Sequence, residues 1–442
     1  MMKYDLVIIG FGKGGKTIAK FAAAQGQSVA VIEKSEEMYG GTCINVGCIP
    51  SKTLFHGSRQ AISFDEGVSR KRQVVQALNK KNFNNLNEDD NIKVLNYKAQ
   101  FKSNDEIELL NEQNEVVETI SGDHIIINTG AKPVIPEIDD VKTSKYLYDS
   151  TGIMNLAEQP KRLVIIGGGY IALEFAATFM NYGTEVTVIE RGGRLMARED
   201  DEIAAEVVKD MTDRGINFVL DAQTERITDK DGYTVVETSQ GSFETDAVLL
   251  ATGRQPNTDL ALSNTEVELG EHGQVKVDQQ LRTTVPHIYA LGDVKGGMQF
   301  TYISLDDFRI VRDALFGEGT RTTANRGAVP YTVFIDPPLS RVGLTAAEAR
   351  EQGCEILENT LPVNQIPRHK VNNDPRGLFK VVIDAKTDLI LGATLYGAQS
   401  EELINQVKLA IDQNIPYQVL RDNIYTHPTM IESFNDLFNI KQ

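Results

Sequence analysis

The sequence predicts an α/β fold built from two copies of one strand–glycine turn–helix–strand unit, followed by an α+β segment. Three observations predict it. An internal repeat runs at an offset of 157 residues (167 − 10, 190 − 33): Val7-Ile8-Ile9-Gly10 returns as Val164-Ile165-Ile166-Gly167, and Val31-Ile32-Glu33 as Val188-Ile189-Glu190. Each copy passes from a short, unbroken apolar run, as in buried parallel strands, into a glycine turn. From Pro330 onward the pattern changes to strand-forming runs and then a helix. A chain of 442 residues is in any case too long for one hydrophobic core.

In chain order, Leu6–Ile9 reads as a strand, residues 13–25 as a helix closed by Gly26, and Ser28–Glu33 as the next strand, joined by a right-handed crossover. The Asn- and Asp-rich stretch Asn82–Asn91 reads as a loop or helix connection. Further strands are expected at Val116–Ile120, His124–Asn128, Asp246–Ala251 and Val275–Asp278. In the last segment Asp336-Pro337-Pro338 introduces a strand, others follow at Phe379–Ile383 and Ile390–Tyr396, and a helix runs from Glu401 to Gln413.

The net charge of −17 argues against a phosphate backbone as partner, so no nucleic acid is expected. No apolar run reaches the length of a membrane span, no basic stripe suits an anionic membrane, and no export signal is apparent. A cytoplasmic location is therefore expected. There, a close cysteine pair points to redox chemistry or metal binding rather than to a structural disulfide.

Gly10-x-Gly12-x-x-Gly15 follows a strand and opens a helix. The first glycine allows the tight turn, the second lets backbone approach a pyrophosphate, and the third lets helix and strand pack closely. The helix N-terminus offers N–H groups to phosphate, and Glu33 can accept the hydroxyls of a ribose. Gly167-x-Gly169-x-x-Ala172 with Glu190 repeats every part. Two Rossmann-like units imply two dinucleotides, most simply FAD and NADH or NADPH. Glu190 would repel a 2′-phosphate and favours NADH, while Arg191 and Arg194 could accept that phosphate.

The run Gly40-Gly41-Thr42-Cys43-Ile44-Asn45-Val46-Gly47-Cys48-Ile49-Pro50-Ser51-Lys52 is the strongest local signal. Pro50 suits a first helical position, which would put Cys48 near the N-cap, where the helix dipole favours thiolate. The alternatives are zinc or inert cysteines. A structural zinc site needs four ligands, and only a distant Cys354 and scattered histidines remain, so no metal site is expected.

Over essentially its whole length the chain resembles the class I pyridine nucleotide–disulfide oxidoreductases, which include glutathione reductase, dihydrolipoamide dehydrogenase and mercuric reductase. Besides the glycine turns and the cysteine run, the resemblance is carried by Thr129-Gly130-Ala131-Lys132-Pro133, by Ala251-Thr252-Gly253-Arg254-Gln255-Pro256-Asn257 and by Leu291-Gly292-Asp293-Val294. The segment His427-Pro428-Thr429-Met430-Ile431-Glu432 completes it. Within the family the chain is most similar to the hypothiocyanous acid reductase, or reactive chlorine resistance, group. The segments Ile9–Thr17, Met38–Asn45, Lys81–Leu86, Gly297–Asp307 and Ser433–Phe438 carry that likeness. The extra metal-capturing cysteines usual in mercuric reductase are absent.

The resemblance implies an FAD-binding domain over 1–148 and 276–328, an NAD(P)H-binding domain over 149–275, and a dimerisation domain over 329–442. It implies FAD contacts from Gly10, Gly12, Gly15, Glu33, Lys34, Gly41, Thr42, Lys52, Thr129, Gly130, Asp293 and Thr301. NAD(P)H contacts fall to Gly167, Gly169, Tyr170, Ala172, Glu174, Glu190 and Gly253, with Tyr170 as gate and Lys52–Glu174 as an ion pair near the flavin. It implies catalysis by Cys43, Cys48, His427 and Glu432 in an obligate homodimer, with His427 reaching the other subunit's site. Cys48 would lie nearer the flavin, and Cys43 would attack the substrate. Taken alone, Lys52–Glu174 reads as a surface ion pair, and His427 as a turn histidine. The expected activity is reduction of a small thiol-reactive oxidant, hypothiocyanous acid. The alternatives are a dihydrolipoamide or glutathione-type disulfide, and copper or mercuric ion.

Overall fold

A computed structural model describes residues 1–60, 62–141 and 143–440. The first repeat builds a seven-stranded sheet. Its parallel part runs Ile92–Leu95, Val29–Ile32, Met2–Ile9, Val116–Ile127, and Ile288–Ala290 returns from late in the chain to pair with the last of these. Val29–Ile32 is buried at every position, which is why its sequence shows no alternation. The helix Lys13–Ala24 turns Ile18, Ala19, Ala22 and Ala23 inward, and Gly26 takes the left-handed conformation just beyond it, at φ +82°.

The second repeat builds an all-parallel five-stranded sheet, ordered Asn217–Val219, Glu185–Ile189, Arg162–Ile166, Ala247–Leu250, Leu147–Tyr148. This sheet already includes Leu147. The helix Tyr170–Asn181 stands where the repeat places it relative to Lys13–Ala24. A small antiparallel sheet packs Ile227 and Val236 onto Val164, Ile166 and Val248. The last segment is a five-stranded antiparallel sheet with the helix Ser400–Asp412 packed on it through Leu403, Ile404 and Val407. Among the described residues no helix is long and apolar enough to cross a membrane.

Three local expectations are corrected. Val116–Ile120 and His124–Asn128 belong to one strand, Val116–Ile127, because Ser121 and Gly122 stay extended against Lys3 and Tyr4. Val275–Asp278 is not a strand: Val275 makes one isolated bridge, and its neighbours bond into turns with Glu268 and Arg282. Asn82–Asn91 is mostly helical, because the helix Phe64–Asn87 runs into it from a Ser63 cap. Tertiary contact overrides the weak helix propensity of asparagine there: Asn82 turns its side chain to Leu78 of its own helix and to Lys16.

Candidate active site

Both glycine turns show close backbone approach. Gly10 stands at φ +103°, and a Cβ there would lie 2.4 Å from the Asn128 carbonyl oxygen. Gly167 repeats this at φ +105°, 2.6 Å from the Ala251 oxygen. Gly12 and Gly169 cap their helices without a side-chain acceptor, and a Cβ on Gly169 would meet nothing within 4 Å. The second is an open helix N-terminus of the kind that receives phosphate, whereas in the first the Gly14 and Gly15 N–H groups donate to Ser304 and Asn128 and the backbone ahead of them stays free. Ala172 is fully buried, as close helix–strand packing requires. Glu33 accepts the Phe11 N–H at 3.1 Å and the Ser35 N–H at 3.2 Å, and burial pushes its carboxyl up. Glu190 accepts Gly168 N–H at 2.6 Å and Gly192 N–H at 2.8 Å. Each carboxylate thus braces its own glycine turn at the strand end. Lys34 is exposed beside Glu33.

Asn128 is a site residue that no sequence motif marks. Its Oδ1 accepts the Gly15 N–H and its Nδ2 donates to the Leu291 carbonyl, both at 2.9 Å and buried. It ties the first glycine turn to the Leu291–Val294 segment. Nothing in its local sequence signals this, because the partners lie 113 and 163 residues away. Asn128→Ala is expected to cost about 2 kcal/mol or more, since two buried partners lose their bonds. It should also lower the FAD retained per chain, measured by absorbance alongside the melting midpoint.

Gly41 stands at φ +79° with its Cα side against Gly12, where a Cβ would lie 2.8 Å from the Gly12 Cα. The cysteine run is thereby laid on the first glycine turn. Thr42 opens the short helix Thr42–Asn45, and Thr129 and Asn257 are cross-bonded at 2.6 and 2.9 Å. Gly130 and Gly253 both adopt positive φ. Asp293 lies in the turn Gly292–Lys295, and burial raises its carboxyl against the pull of Arg254 and Lys295.

Cys43 and Cys48 are both free thiols. Cys48 is the first residue of the helix Cys48–Arg59, Gly47 is its cap and Pro50 its third residue, so both sit further into the helix than expected. The two sulfurs also differ in their surroundings. A hydrogen bond from Cys48, with help from Thr301 and the Lys16 ammonium, lowers the Cys43 thiol to about 6 against the cost of burial. Cys48 donates that bond and is pushed up, by Cys43 first and by burial second. Cys48 Sγ lies 4.0 Å from Thr301 Oγ1 and feels Lys52, whereas Cys43 feels Lys16.

Lys52 pairs with Glu174 at 2.6 Å, and its ammonium lies 4.9 Å from the centre of the Phe334 ring. Glu174 also accepts the Phe334 N–H at 2.9 Å. The pair bridges the redox helix, the second-copy helix and the last segment, so it is more than a surface contact. Tyr170 donates to Glu199, as does Tyr331, and the two rings stack at 5.7 Å. Neither Glu199 nor Tyr331 was legible as a site residue. His427 is exposed, and its Nδ1 lies 2.7 Å from Glu432, which also accepts the Thr429 N–H. Within the single chain, His427 is not a hydrogen-bond partner of either thiol.

Two dinucleotide turns with a dithiol helix between them define an FAD- and NAD(P)H-dependent disulfide oxidoreductase. The chain belongs to the pyridine nucleotide-disulphide oxidoreductase family: the family model of that description matches residues 4–307, and that of its dimerisation domain matches 329–438. It is 48% identical over all of both chains to a probable pyridine nucleotide-disulfide oxidoreductase, RclA, of Escherichia coli. It is 33% identical to a mercuric reductase of Bacillus cereus, over 97% of this chain and 70% of that one. A dihydrolipoyl dehydrogenase of Staphylococcus aureus is 31% identical, over 97% and 94%. The solved structure of the HOCl-induced flavoprotein disulfide reductase RclA from E. coli superposes with a TM-score of 0.95, covering 98% and 99% of the two chains. A Cu(II) complex of that protein's C43S mutant superposes at 0.97, covering 99% of each.

Proposed function

We propose that this enzyme reduces hypothiocyanous acid in a cytoplasmic homodimer, with Cys43 as the attacking thiol. The observation that carries the reading is the unequal dithiol, in which Cys43 is lowered to about 6 and Cys48 is pushed up. A full-length relative described as HOCl-induced supports an oxidant of this class. The Cys43 thiolate attacks the sulfur of the acid; an S–S bond forms, the S–O bond breaks, and the oxygen leaves as water after taking a proton. Cys48 then attacks Cys43 Sγ, loses its proton, and thiocyanate departs with the electron pair. His427, oriented by Glu432 and reaching across from the partner subunit, supplies and receives protons.

The first glycine turn with Glu33, Lys34, Gly41, Thr42, Lys52, Thr129, Gly130, Asp293 and Thr301 would hold FAD; the second with Tyr170, Glu174, Glu190 and Gly253 would hold NAD(P)H. The bound dinucleotides supply the hydride equivalents that restore the dithiol. We assign these roles to 1–148 with 276–328 and to 149–275, and dimerisation to 329–442. The experiment is steady-state NAD(P)H oxidation with hypothiocyanous acid, lipoamide and glutathione disulfide. A clear preference for either disulfide would replace this reading.

Arg194 is engaged with the Glu199 carbonyl and with Asp201, which supports Glu190 as the selector towards NADH, with Arg191 as the remaining candidate to accept a 2′-phosphate. Glu190→Ala should narrow the NADH-over-NADPH ratio of kcat/KM by about tenfold, through loss of 2′-phosphate repulsion. An unchanged ratio would exclude Glu190 as the selector. A second reading, copper capture, is favoured by the Cu(II) complexes of the E. coli protein. Among the described residues no group of three or more His, Cys, Asp or Glu side chains is placed to hold a metal. Copper stoichiometry before and after thiol alkylation tests whether the cysteine pair binds it.

A further inference from the structure

Cys43 has a cationic neighbour whose only role so far is to help lower the thiol. Lys16 follows the last glycine of the first turn and is half-buried. Its Nζ donates to Asn82 Oδ1. The Asn82 amide is held in that orientation by its own N–H bond to the Leu78 carbonyl, at 2.7 Å. Asn82 also lies hard against the cysteine run: a Cβ on Gly40 would fall 3.1 Å from its amide and 3.0 Å from Ile44, next to Cys43. Two segments 66 residues apart therefore meet beside the attacking thiol. Burial first, and Lys13 second, lower the Lys16 ammonium to about 8; the Cys43 thiolate is what draws it back up. Among the described residues no carboxylate is one of the main groups acting on it. A half-buried ammonium with one amide partner retains donors for an anion.

We propose that Lys16, held by Asn82 beside Cys43, is the anion-holding side chain of the oxidant site, with a small monoanion such as thiocyanate as its ligand. The assignment of thiocyanate rests on the proposed function above; the anion site itself does not. When Cys48 attacks Cys43 Sγ, the bond from Cys43 to the thiocyanate sulfur breaks and its electron pair leaves on an anion. A fixed cation there stabilises the thiolate before attack and the departing anion after it.

The test compares alkylation of Cys43 in the reduced holoenzyme by anionic iodoacetate and by neutral iodoacetamide. Taking the ratio of the two rates cancels any change in thiolate fraction. Lys16→Met should lower the ratio by about tenfold, Lys16→Arg should keep it, and Asn82→Ala should lower it in part. Thiocyanate should also weaken as a product inhibitor in Lys16→Met. An unchanged ratio overturns the proposal. So does loss of FAD from Lys16→Met with the ratio intact, which would make Lys16 a phosphate contact. A lowered ratio in an enzyme that does not turn over hypothiocyanous acid keeps the anion site and removes the oxidant assignment.

Discussion

Cys43→Ser should stop oxidant-driven NAD(P)H consumption, lowering turnover by about a thousandfold or more, because a serine hydroxyl supplies no thiolate nucleophile. Cys48→Ser should fall as far in steady state, for a different reason: the first attack still occurs, but nothing resolves the mixed species. Mass spectrometry should then find one thiocyanate adduct per chain on Cys43 in Cys48→Ser and none in Cys43→Ser. The pH dependence follows from the lowered Cys43 thiol, at about 6. Its thiolate is present above that value and is lost as pH falls through it. Alkylation of reduced enzyme should therefore slow about tenfold per unit below pH 6, with Cys48 contributing little until high pH. Full turnover in either serine variant would end the dithiol mechanism.

The second large effect is expected at His427. His427→Ala should lower turnover by about a hundredfold, within the range for a positioned acid–base group. Glu432→Gln should cost less, about tenfold, because it removes the orienting carboxylate and leaves the ring. The His427→Ala profile should also lose one of its pH limbs. Mixing and reassociating Cys43→Ser and His427→Ala dimers decides where the histidine acts. If it reaches the partner's site, each mixed dimer contains one complete site and activity returns. If it served its own chain, mixing would restore nothing.

Much of the arrangement was written locally. The repeat places Lys13–Ala24 and Tyr170–Asn181 in register, and the buried parallel strands declared themselves by unbroken apolar runs. The Cys43–Cys48 spacing and the Glu33 and Glu190 strand ends were also visible, because a strand, a glycine turn and a helix N-terminus are short-range features. Asn82–Asn91 is a connection only from Glu88 onward, because helix propensity is a weak prior that tertiary contact overrides over Asn82–Asn87. The helix start at Cys48 was legible, whereas the Lys16 charge acting on Cys43 was not, because those two residues come together only in the folded chain.

By itself the sequence determined the two nucleotide units, the dithiol and the family, since each depends on residues close together in the chain. Only the tertiary structure decided what surrounds the two thiols. Asn128 bonding Gly15 and Leu291, Lys16 meeting Asn82, and Glu199 joining Tyr170 to Tyr331 are contacts between segments far apart in sequence. Hydrogen bonds and charges act through space over a few ångströms, so chain spacing carries no record of them until the sheets and helices have packed.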